Sequence, residues 1–105
     1  MEKEFVGKFV RVGEHLGLVD TDFGSRVGFI WSDKDSWTGE LVEKSSVEVL
    51  TKQDEITAAR KSAKNYLLRE RASLKSRIQR KLKDDNQAAL AEMLDFIVGW
   101  LNRVD

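Results

Sequence analysis

The sequence predicts an α+β fold: a small five-stranded β-barrel over residues 1–50, followed by a helical hairpin over residues 51–105. Three observations carry this. The first half consists of short runs rich in β-branched and aromatic residues, with turn residues and glycines between them. The apolar period then changes from two to about 3.6 near Thr51. After that point the chain runs without glycine or proline until Gly99.

The strands follow in order. Glu4–Val12 reads as a strand bent at Gly7, and His15–Asp20 follows the turn Gly13-Glu14. Arg26–Ser32 places Val27, Phe29 and Trp31 on one face and Gly28, Ile30 and Ser32 on the other, because side chains alternate along a strand. Trp37–Lys44 and Ser46–Leu50 complete the set. Five short strands in about fifty residues suit a closed or nearly closed barrel.

In the second half, Thr51–Asp54 has the form of a capping box. A long basic helix is expected over 52–83, with Ile56, Ala59, Ala63, Leu67, Leu74 and Ile78 on one stripe and a break near Arg71–Ser73 as an option. Asp84–Asn86 reads as a stop and restart, with Asp85 or Asn86 capping an apolar helix over 87–102. The apolar arc of that helix, from Leu90 through Phe96 and Trp100 to Leu101, is too wide for one neighbour to cover.

Composition narrows the function. The chain has 105 residues, no cysteine and a formal net charge of zero. Disulfides and thiolate metal sites are therefore excluded. No run approaches the ~20 apolar residues of a membrane span, and the first residues lack the pattern of a signal peptide or presequence, so a cytoplasmic protein with no membrane partner is expected. Charge is segregated: residues 1–51 carry six basic and ten acidic residues, residues 52–83 eleven basic and three acidic, and residues 84–105 one basic and five acidic. An anionic partner would be sought in the middle block.

The stretch Phe29–Gly39 sets Trp31 and Trp37 on either side of a charged loop. One reading pairs them across a hairpin. The other makes Phe29, Trp31 and Trp37 an aromatic binding surface, with Asp33 and Asp35 favouring a cationic ligand over a phosphate. Arg60, Lys61, Lys64, Arg71 and Lys75 fall on one flank of the long helix, where they could follow a phosphate backbone or neutralise the acidic parts of the same chain. Phe96 and Trp100 are the candidates for self-association into a homodimer. His15, the single histidine, has no adjacent partner for acid–base work, and Asp20 with Asp22 lacks the rest of a calcium loop. No phosphate-binding loop or nucleophile elbow is present. The expectation is a protein without enzymatic activity, catalytic residues, metal or cofactor.

Gly7–Val19, "GKFVRVGEHLGLV", is a strand, a tight turn and a strand, and two further hairpins follow. This half resembles the SH3-like barrel class in the manner of KOW and Tudor modules, with Gly13 and Gly17 at the glycine-rich turn. The resemblance implies the barrel, and members that bind nucleic acid, machine surfaces or peptides. Its acidic balance departs from an RNA-binding surface. The expected function is an adaptor or inhibitor, of a type phages also make, that binds a larger cytoplasmic protein machine. The alternative is a nucleic-acid binder using the basic helix and the barrel aromatics.

Overall fold

A computed structural model of the protein describes residues 5–81 and 86–104. The fold is α+β. Five strands, β1 (Phe9–Val12), β2 (His15–Asp22), β3 (Arg26–Ser32), β4 (Trp37–Glu43) and β5 (Glu48–Val49), precede two helices, α1 (Gln53–Arg80) and α2 (Gln87–Val104). The strands form one antiparallel sheet in the order β4-β3-β2-β1-β5, and it is not closed: β4 and β5 are its two edges. The chain divides into two compact units, Met1–Tyr66 and Leu67–Asp105, with the division inside α1.

In the first unit β1 is shorter than the sequence suggests. Gly7 adopts φ 87° and belongs to a turn rather than a bend within a strand, so pairing starts at Phe9. Gly13, at φ 62°, opens the two-residue turn between Val12 and His15, a position that favours glycine because most side chains are strained there. One face of the sheet gathers Val10, Val19, Val27, Phe29 and Trp31, all buried, with Phe5, Val12, Val42 and Val47 packed against them. Gly17 makes this packing possible. A Cβ there would lie 2.1 Å from the Ile30 carbonyl oxygen and 2.9 Å from the Phe29 ring.

The opposite face meets the first turns of α1. Leu18 and Ile30 on the sheet are buried, as are Ala59 and Ala63 on the helix, and the two alanines permit close approach. Ser32 and Ser62 lock the contact. The Ser32 N–H donates to Ser62 Oγ (2.9 Å), Ser32 Oγ donates to the Ser62 carbonyl (2.7 Å), and Ser62 Oγ donates to the Ser32 carbonyl (3.2 Å). The Arg60 guanidinium lies 5.1 Å from the centre of the Phe9 ring, and Arg11 bridges Glu48 and Glu55.

α1 runs unbroken through Arg71–Ser73. Its first intrahelical bond runs from Ile56 N–H to the Lys52 carbonyl, so the N-cap is Lys52 and not Thr51. It ends at Arg80, where Lys81 turns left-handed at φ 52° and returns its N–H to the carbonyls of Arg77 and Ile78. The expected extension to Lys83, and Asp85 as a cap, lie outside the described residues. Asn86 caps α2 as anticipated: its Oδ1 accepts from the Ala89 N–H at 3.2 Å. In the second unit Leu67 and Leu74 of α1 are buried, as are Leu90, Ile97, Trp100, Leu101 and Val104 of α2. No helix among the described residues is long and apolar enough to cross a membrane.

Candidate functional site

Trp31 and Trp37 do not pair. Trp31 lies opposite Thr38 and Trp37 opposite Ser32, so the two indoles leave opposite faces of the β3–β4 hairpin. Trp31 is only 9% exposed. Its ring stacks on His15, and its Nε1 donates to Glu40 Oε2 at 2.9 Å. Phe29 is fully buried beside it. Trp37 is 43% exposed. The three aromatics therefore do not make one surface, because strand alternation sends Phe29 and Trp31 to one face of the sheet and Trp37 to the other, the face that meets α1.

The loop between the tryptophans is built by Asp33. Its Oδ1 accepts from the backbone N–H of Asp35 (2.9 Å) and of Ser36 (2.8 Å) and from the Ser36 hydroxyl (3.2 Å). The hydrogen bonds from those two backbone amides hold its carboxyl below the usual range. Asp33 thus shapes the turn that delivers Trp37, while Asp35 is exposed.

β4 is where chemistry and access coincide. Trp37, Gly39 and Leu41 alternate onto the face that meets α1, and Leu41 is 57% exposed. The ladder between β3 and β4 is flanked by Asp33 N–H bonding the Ser36 carbonyl at one end and Lys44 N–H bonding the Ser25 carbonyl at the other. That phase turns the backbone groups of Thr38, Glu40 and Val42 toward β3 and those of Trp37, Gly39 and Leu41 away from it. No strand among the described residues covers this outer edge. The edge offers a row of amides and carbonyls framed by two exposed apolar side chains.

A cleft of about 290 Å³ opens beside it, lined by Asp20, Gly28, Ile30, Gly39, Leu41 and Tyr66 among others. Tyr66 comes from α1, and its hydroxyl would lie 2.9 Å from a Cβ at Gly39. Asp20 sits at a register shift in β2, between the pairs Val19↔Phe29 and Thr21↔Gly28. A Cβ at Gly28 would come within 2.6 Å of Asp20 Oδ1, so this glycine makes room for the carboxylate. Burial pushes the Asp20 carboxyl up, and the Thr21 hydroxyl, donating at 2.7 Å, opposes this in part. The arrangement can accept a hydrogen-bond donor or a cation at Asp20, next to an apolar rim, whereas the Glu40 carboxylate leaves β4 on the opposite face and is bonded to Trp31. Asp22 is engaged elsewhere, pairing with Lys44 at 3.0 Å and receiving the Gly24 N–H. Among the described residues no group of three or more acidic or histidine side chains is placed to hold a metal.

The basic flank is distributed over both units, with Arg60, Lys61 and Lys64 in the first and Arg71 and Lys75 in the second. Arg60 is engaged with Phe9, whereas Lys61 and Lys75 are exposed. On α2, Phe96 is exposed and Trp100 buried. Sequence reasoning missed Leu41, Glu40 and Tyr66, and it weighed Asp20 only with Asp22 as an incomplete calcium loop. Counting by twos from Trp37 reaches Leu41, but that β4 ends the sheet is a fact of tertiary pairing.

Comparison with protein-family models, with curated proteins and with solved structures finds no match for this chain.

Proposed function

We propose that this is a non-enzymatic interaction protein, an adaptor or inhibitor, that holds a segment of a larger protein at the outer edge of β4. The observation that carries the reading is the uncovered β4 edge with Trp37 and Leu41 exposed along it. An extended segment adding to such an edge gains backbone hydrogen bonds, and alternate side chains find the apolar rim and the acidic cleft. Aromatic anchors dominate the energetics of interfaces of this kind, which gives Trp37 the leading role. An SH3-like character for the sheet belongs to the same proposal. It is supported by consecutive strands β1 to β4 in neighbouring places and by the return of β5 beside β1.

The test is affinity capture from the host's lysate after nuclease treatment, comparing the protein with its Trp37→Ser and Leu41→Ser variants. A partner retained by the parent and lost from both variants, at matched folding, is expected. Equal capture by all three would overturn the reading. Nucleic-acid binding through α1 is the second reading, favoured by the exposure of Lys61 and Lys75. It requires capture to depend on nucleic acid and to weaken steeply with salt.

A further inference from the structure

The exposed side of α2 carries a second feature, independent of the β4 edge. Asp95, Phe96, Gly99, Trp100 and Arg103 line a groove of about 250 Å³. Gly99 lies at its centre, and a Cβ there would meet nothing within 4 Å. Phe96 is 46% exposed and touches Trp100 edge-on, with ring centres 6.5 Å apart. The Arg103 guanidinium lies over the Trp100 ring at 4.0 Å. No ion pair among the described residues engages Asp95.

Asp95, Gly99 and Arg103 are spaced four apart and form one ridge along the helix. The acid and the base stand equally far from the glycine, roughly 6 Å along the axis on either side. We propose that two copies of this chain associate through α2, packed antiparallel about a two-fold axis at Gly99. In that arrangement the ridge of each copy lies alongside the ridge of the other. Asp95 of each copy then comes level with Arg103 of the second copy, and both ion pairs form at once. The missing side chain at Gly99 lets the backbones approach where the helices cross, and the exposed part of Phe96 is covered. A parallel pairing about the same residue would set Asp95 beside Asp95 and Arg103 beside Arg103, so the charge pattern selects the antiparallel one. A closed two-fold contact of this kind uses one patch twice.

Sedimentation equilibrium of the full chain tests the charge pattern. The parent should self-associate. Asp95→Arg alone and Arg103→Asp alone should each weaken association by roughly a hundredfold, because each faces like charges across the axis. An equimolar mixture of the two single variants should dimerise again, since every facing pair is then opposite in sign, and so should the double variant. Both positions are exposed, and a circular dichroism melt of each variant establishes that it is folded. The chain has no cysteine, so Gly99→Cys introduces a single thiol that should oxidise to a covalent dimer. A monomeric parent at millimolar concentration, single variants that associate like the parent, a mixture that stays monomeric, or Gly99→Cys that fails to cross-link would each overturn the proposal.

Discussion

The imidazole of His15 lies flat against the indole of Trp31, with ring centres 3.6 Å apart and planes 11° from parallel. The single histidine thus closes the end of the sheet core over a tryptophan that is also tied to Glu40. His15→Ala should cost about 1 kcal/mol of stability, the usual worth of an aromatic pair. It should also make Trp31 more accessible to acrylamide. Denaturant unfolding and fluorescence quenching in a background of Trp37→Phe and Trp100→Phe check both.

Gly17→Ala should be far more damaging. The new methyl would sit 2.1 Å from a backbone oxygen of Ile30, which cannot swing aside as a side chain would. We expect a loss of about 3 kcal/mol, at the upper end of overpacking costs. Urea unfolding measures it, and a loss below about 1 kcal/mol would show that β2 and β3 are not this close.

Ser62→Ala removes the hydroxyl that accepts the Ser32 N–H and donates to the Ser32 carbonyl. Both backbone groups are partly buried, so they lose partners without full access to water. A cost of about 1–3 kcal/mol is expected, with early loss of the first α1 turns in hydrogen exchange.

Asp20 gives a pH signature. Its folded carboxyl is raised by burial, so the folded state holds that proton more tightly than the unfolded chain does. Stability from this group is therefore greatest when it is protonated, and falls as pH rises from the unfolded value through the raised folded one. Asp20→Asn should be more stable than the parent at neutral pH, with the gap closing on acidification. Asp33 runs the other way. Its carboxyl is lowered by the turn amides, so its contribution is full above the unfolded value and is lost as pH falls through the depressed one. Melting temperatures of Asp20→Asn and Asp33→Ala across the acidic range separate the two.

Much of the architecture was readable from periodicity. The alternation in Arg26–Ser32 assigned the faces of β3 correctly, and of the stripe on α1 Ala59, Ala63, Leu67 and Leu74 are buried while Ile56 and Ile78, toward its ends, are half-buried. Asn86 announced the start of α2. The failures have physical causes. Trp31 and Trp37 read as partners because the loop was counted one residue too long, and Asp33 sets the observed register through its turn. Phe29 and Trp31 read as a surface because an aromatic run does not reveal which face is covered. The cleft was invisible because Asp20 sits at a register shift and Tyr66 is brought in from α1.

The account rests on β4 being an open edge that a partner strand covers. Amide hydrogen exchange of Trp37, Gly39 and Leu41 tests this most directly, first in the free protein and then with the captured partner. These three amides should exchange quickly in the free protein, while those of Thr38, Glu40 and Val42 are protected. All six should be protected in the complex. A complex in which Trp37, Gly39 and Leu41 still exchange at their free rates would contradict the account.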